Sequence, residues 1–359
     1  MTVRTEAPMG DSVRARSDDY FRNGDPMAGD SQTMQCMEVW GGNEIVDASV
    51  VMSGLDLWVY SKPFGQSAGG GDVYYVSSCA TGRIERLLVA DVSGHGATVG
   101  DVAGQLRQLM RQFVNYLDQR RFVRTMNDRF AQLSRNGCFA TAIVATFFAP
   151  TRSLSLCNAG HPPPLLYRAG RRQWSFLERD LGSSDPAAPS GAAGNIPLGI
   201  MDLTDYEQFE HRLDVGDLVL LYTDSLIEAR DGGGEMLGRR GLLELLSGVA
   251  VDDPAKLIPA VLDAVARQEV KNLDLDDVTV MLLRANGSTQ HFSVMDKLRA
   301  AGRFGRALLG RPFGGEAVPF PDPRLANIGG AMIPWFNRLW QAKIHREGAN
   351  VRRRAKKQN

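Results

Sequence analysis

The sequence predicts an α+β fold with largely antiparallel sheets. Three observations carry that expectation. Short β-type runs arrive in bursts instead of alternating one for one with helices, as a doubly wound parallel sheet would require. Neighbouring runs are separated by turns such as CATGR and PTR, too short for a helical crossover. Helical spacing is confined to a few segments, and their order is strands, two helices, many strands, two helices and a final strand.

Along the chain, LDLWVYS (55–61) alternates apolar and polar residues and reads as a strand. VYYVSS (73–78) and ERLLVADV (85–92) are two more, expected to pair antiparallel across their turn. Between 97 and 118 the period changes. Val99, Val102, Ala103, Leu106, Leu109, Met110, Phe113 and Leu117 recur at three and four, which predicts a helix. A second helix follows over about 122–133. CFATAIVATFFA and SLSLCNAG flank PTR as two strands, and LLYRAG–RRQWSFL reads as a hairpin. Residues 182–195 are a Gly/Pro/Ala/Ser loop, and YEQFEHRL and GDLVLLYTD are two strands around a turn. Residues 239–249 and 254–269 are predicted helices, with Asp252 or Asp253 near the start of the second. VTVMLLR closes the set as a strand.

Composition divides the 359 residues into four parts. Residues 1–33 are polar and aperiodic and are expected to be disordered; 34–54 lead in to the globular part. Residues 55–285 form the single predicted domain, and 286–359 are a basic, Pro/Gly- and Trp-containing extension. Lys+Arg balance Asp+Glu at 41 each, but basic residues outnumber acidic ones from about Lys297, ending in VRRRAKKQN. That asymmetry, with Trp335, Phe336 and Trp340 close together, makes contact with an anionic surface a candidate role for the extension, alongside packing against the domain. No run approaches the ~20 apolar residues of a membrane span, and the N-terminus lacks a signal-peptide core, so a cytoplasmic location is expected. Cys36, Cys79, Cys138 and Cys157 form no CxxC pair, which argues against a zinc knuckle.

The chemistry is carried by aspartates at strand ends: Asp72 in GGGDVYY, Asp91 in LLVADVSGHG, Asp224 in LVLLYTDSLIE and Asp276 in LDLDDVTVMLL. Carboxylates sharing one cleft need a neutralising cation, and all-oxygen sets suit Mg²⁺ or Mn²⁺. Two pieces have a simpler reading, DVSGHG as an Asp-led turn and Asp224 as a helix or turn cap, while the three glycines before Asp72 give a backbone able to pass close to an ion. In DVSGHG, Gly94 and Gly96 permit close backbone approach, and the following helix N-terminus favours an anion. His95 suits a supporting role in orienting a carboxylate or capping the turn. Asp276 and Asp277 are adjacent on extended chain and face opposite ways, so one is expected to be a ligand and the other to cap or face solvent. In AGHPPPLLY the prolines stiffen an extended segment, and His161 reads as structural. Together the set indicates a metal-dependent enzyme, with phosphoryl transfer the natural class.

GGGDVYY, DVSGHG, FATA, AGHPPPLL, PLGI, YTDSLIEA and DDVTV, in that order over residues 65–285, resemble the bacterial PPM-type (PP2C-like) serine/threonine phosphatases, in the branch of the stage II sporulation phosphatases and sigma-factor regulators. The resemblance implies a four-layer α-β-β-α sandwich with two Mn²⁺ or Mg²⁺ ions at one end. It implies that Asp91 bridges the ions, that Asp72 and the Val92 carbonyl hold one, and that Asp224 and Asp276 hold the other. Asp72 and Asp91 would thereby activate the water that attacks phosphoserine or phosphothreonine, with Gly71, Ser93, Gly94, His95 and Asp277 in support. A phosphorylated anti-sigma factor antagonist is the implied substrate class, and a homodimer a candidate assembly. Two positions depart from the family pattern: Tyr75 replaces an acidic residue, and Ser225 replaces a glycine. They leave a catalytically weakened interaction module of the same fold as the alternative.

Overall fold

The computed structural model describes residues 31–34, 39–78, 82–93, 97–113, 119–133, 137–178, 196–201 and 206–288. Its elements, in chain order, are β1 (Ser31–Thr33), β2 (Val39–Gly42), β3 (Val46–Met52), β4 (Leu55–Lys62), β5 (Asp72–Ser78), β6 (Ile84–Val92), α1 (Ala97–Phe113) and α2 (Gln119–Leu133). There follow β7 (Ala140–Phe148), β8 (Ser153–Ala159), β9 (Leu165–Arg168), β10 (Gln173–Phe176), β11 (Phe209–Arg212), β12 (Leu218–Tyr222), α3 (Ser225–Glu228), α4 (Gly238–Ser247), α5 (Leu257–Gln268) and β13 (Val278–Ala285).

The strands form two sheets, ordered β1-β3-β4-β13-β12-β9-β10 and β11-β8-β7-β6-β5-β2. All pairings are antiparallel except β1 with β3. Alternation along each strand assigns side chains to layers. In β6, Leu87 and Val89 meet the facing sheet through Leu57, Val219, Leu221 and Met281, forming the core between the sheets. Leu88, Ala90 and Val92 point the other way and pack beneath α1 and α2, against Leu106, Met110, Phe122 and Phe130. On the outer face of the seven-stranded sheet, Leu220, Tyr222, Val280 and Leu282 pack beneath α4 and α5, against Leu242, Leu246, Leu257 and Val261. These three apolar layers separate four structural layers, helix–sheet–sheet–helix, as expected from the resemblance.

Three expectations need correction. Ser31–Thr33 falls inside the segment expected to be disordered, yet pairs in register with Ser49–Val51; backbone hydrogen bonding can recruit a polar edge strand that has no hydrophobic pattern. Residues 34–54 are more than a lead-in: β2 pairs with β5 in one sheet and β3 pairs with β4 in the other. The runs read as two strands around a turn, β11 and β12, do not pair with each other. β11 joins β8, whereas β12 lies between β9 and β13. The segment between them crosses from one sheet to the other, which local pattern cannot distinguish from a hairpin.

Candidate active site

Asp72 and Asp91 open and nearly close two adjacent strands of the six-stranded sheet, and they are direct partners across the β5–β6 ladder. Alternation places both side chains on the inner face, because Tyr74 and Val76 in β5 and Leu87 and Val89 in β6 belong to the core between the sheets. Asp224 follows the end of β12, and Asp276 and Asp277 immediately precede β13 in the opposite sheet. The fold thus brings the acidic punctuations of both sheets to one end of the sandwich.

Their electrostatics show the convergence. Burial raises Asp91 to about 7, and Asp224, Asp276, Asp277 and Glu228 add to the rise. Burial raises Asp224 to about 6, with Glu228 and Asp276 next in effect; the amides of Asp224 and Ser225 offset only part of it. Asp72 is 3% exposed and is pushed well above the usual carboxylate range by burial and then by Asp91. The charged groups acting most strongly on all three are carboxylates. The meeting is at electrostatic rather than chelating range: among the described residues, no three His, Cys, Asp or Glu side chains gather closely enough to hold an ion as they stand. An all-oxygen, mutually repelling, partly buried donor set is of the chemical kind that suits a hard divalent cation.

The surrounding groups divide between supports and bystanders. Asp277 accepts from the amides of Gly71 and Phe64, both at 2.6 Å, and so clasps the glycine-rich loop. Asp276 is exposed and accepts from the Asp277 amide at 2.8 Å. The adjacent pair therefore diverges, with Asp277 holding backbone and Asp276 exposed within electrostatic reach of Asp91 and Asp224. A Cβ on Gly70 would lie 2.5 Å from the Asp277 carboxylate, and one on Gly71 would lie 2.8 Å from the Val92 carbonyl. The loop is glycine because nothing larger fits. The Ser93 amide donates to the Phe139 carbonyl at 2.8 Å, and the Phe139 amide donates to Ser93 Oγ at 2.9 Å, anchoring the start of DVSGHG to β7. Gly94 and His95 lie outside the described residues.

The two departures from the family pattern do not intrude. Tyr75 is fully buried beneath α1 and α2, on the face of β5 opposite Asp72. Ser225 sits in α3 with ordinary backbone geometry, since its φ is not positive. Asp224 precedes α3 without a side-chain capping bond, which removes the simple capping explanation for it. His161 is a structural residue: Thr141 Oγ1 lies 2.8 Å from Nδ1 and the Tyr222 carbonyl 3.0 Å from Nε2, and burial lowers the imidazole to about 4. Motif reading missed Glu228, one helical turn beyond Asp224. The i, i+4 spacing in DSLIE is the signal that could have found it.

The stage II sporulation protein E (SpoIIE) family matches residues 82–286, and the chain belongs to it. It is 23% identical over 231 residues to phosphoserine phosphatase RsbU of Bacillus subtilis (strain 168), covering 64% of this chain and 63% of that one. It is 20% identical over 222 residues to stage II sporulation protein E of the same organism, covering 61% of this chain and 24% of the relative. The chain therefore spans less than two thirds of the length of either relative. Among solved structures, the RsbU and RsbW domains of Rv1364c from Mycobacterium tuberculosis align with a TM-score of 0.54 at 24% identity, over 75% of this chain and 72% of that one. The PP2C phosphatase domain of SpoIIE from Bacillus subtilis, with a fragment of its regulatory domain, aligns with a TM-score of 0.51 at 17% identity, over 70% of this chain and 64% of that one. The fold is that of the PP2C-like sandwich.

Proposed function

We propose that the chain is a metal-dependent phosphoprotein phosphatase acting on phosphoserine or phosphothreonine. The observation that carries this reading is the meeting of Asp72 and Asp91 from one sheet with Asp224 and Asp276 from the other, each of the first three raised in pKa by burial and by its acidic neighbours. Membership of the SpoIIE family and the likeness to a phosphoserine phosphatase support it. Asp72, Asp91, the Val92 carbonyl, Asp224 and Asp276 would hold two divalent cations, Mn²⁺ or Mg²⁺. Bound there, the cations would supply Lewis acidity for activating water and offsetting charge on the phosphoryl group.

The protein's own contribution is to bring these carboxylates to one end of the sandwich. The β5–β6 ladder holds Asp72 opposite Asp91, and Asp277 fixes the loop preceding Asp72. No cysteine or serine nucleophile is needed for direct attack by water. The substrate is read as a phosphorylated anti-sigma factor antagonist in a partner-switching pathway, following the motif resemblance to the sigma-factor regulator branch. Homodimerisation and contact of residues 286–359 with an anionic surface are accessory parts of the same proposal.

Purified protein is expected to release phosphate from a phosphoserine peptide only when Mn²⁺ or Mg²⁺ is present. Asp91→Asn should lower turnover by about 100-fold or more, because losing a ligand should exceed the cost of losing an outer partner. Cation-independent turnover, or full activity in Asp91→Asn, would reject the site.

A further inference from the structure

Thr223 directly follows β12 and is fully buried, with no exposed surface. Its side chain faces the space between the sheets, since it continues the alternation of Val219 and Leu221. The Thr279 amide donates to Thr223 Oγ1 at 3.0 Å. Asp72 Oδ2 lies 2.8 Å from the same oxygen, the Thr279 carbonyl 3.3 Å and Ser225 Oγ 3.5 Å.

A hydroxyl has one proton and two lone pairs. The Thr279 amide occupies a lone pair, which leaves the proton for an acceptor. The carboxylate is nearer than the carbonyl, and once a cation favours its ionised form it is the stronger acceptor. The direction of the bond is thus set by the backbone: Thr223 donates to Asp72. The bond joins residues 151 apart in sequence and crosses from the seven-stranded to the six-stranded sheet. Behind it, Thr279 Oγ1 and Ser61 Oγ lie 2.9 Å apart, linking β13 to β4. A row of buried hydroxyls, from β4, β13 and the residue that follows β12, therefore backs an aspartate of the other sheet.

We propose that Thr223 is a positioning residue: by holding one oxygen of Asp72 it sets the rotation of that carboxylate for a divalent cation. The inference rests on the cation site described under Proposed function. It adds a residue that contacts neither cation nor substrate and acts through Asp72. A threonine whose role was only to fill space would be replaceable by valine, which has nearly the same shape.

Calorimetric titration of the full chain with MnCl₂ tests this without measuring activity. Thr223→Val is expected to weaken Mn²⁺ binding by about 10- to 100-fold, the usual effect of removing a partner of a metal ligand, and Thr223→Ser to stay within about threefold of wild type. Circular dichroism in EDTA checks that each variant is folded. If the valine variant does not fold, Thr223→Ala provides the same comparison, stripping the hydroxyl without adding apolar bulk. Wild-type affinity in the folded valine or alanine variant overturns the inference and leaves the cation site standing. Equal losses in the serine and valine variants also overturn it, because the hydroxyl would not be the determinant. A wild-type chain that binds no Mn²⁺ overturns the cation site itself and the positioning role with it.

Discussion

Asp91 and Asp224 titrate about where a cell's pH lies, and this has a defined thermodynamic sign. An unfolded aspartate ionises near pH 4, whereas burial and acidic neighbours raise these two to about 7 and about 6. Between those limits the folded state binds more protons than the unfolded state, so the contribution of each group to stability falls as pH rises. Cation-free protein is expected to lose melting temperature from about pH 4 to about pH 7 through these groups. Saturating Mn²⁺ should flatten that slope, because the cation favours the ionised carboxylates. Differential scanning calorimetry across that range, with EDTA and with Mn²⁺, checks both statements. A cation-free melting temperature that rose through the window would contradict the proposed cluster.

At this scale the sequence was informative about residue type and less so about role. Asp72, Asp91 and Asp224 were legible because each interrupts an apolar run beside small or turn-forming residues. The role of Thr223 is not legible in sequence, because its partner Asp72 is 151 positions away. The division of labour between Asp276 and Asp277 was legible as a split but not in detail: alternation says two neighbours diverge, whereas only the folded chain shows Asp277 reaching Gly71 and Phe64.

Among elements, the glycine-rich loop before β5 is held by the residue that precedes β13. Removing that hold should be costly for both fold and site. Asp277→Ala leaves the Gly71 and Phe64 amides without their acceptor and is expected to destabilise by about 1–3 kcal/mol, read by urea denaturation. An unchanged midpoint would show that the clasp is decorative. Hairpins such as β7–β8 and β9–β10 could be read from sequence because their turns are short and their strands alternate. β1 could not, since a three-residue strand carries too little pattern, and the separation of β11 from β12 could not, since both sheets offer equally apolar neighbours.

For the molecule as a whole, the core between the sheets keeps the two halves of the site in register. Leu221 is 1% exposed and belongs to that core. Leu221→Ala should cost about 2–5 kcal/mol, the range for a buried leucine whose surroundings cannot collapse, and chemical denaturation with m-value analysis will measure it. A loss below about 1 kcal/mol would mean that the sheets are less tightly packed than described.

The last of the described strands, β13, sits in the middle of its sheet, with β4 on one side and β12 on the other. A ribosome reaches residue 278 only after every other described strand has been made. Until then, two ladders of amide and carbonyl groups wait open at the centre of the nascent domain. A prematurely terminated product would thus be a sticky half-sheet, prone to recruit a neighbour's strand in place of its own, and not a weaker version of the finished protein.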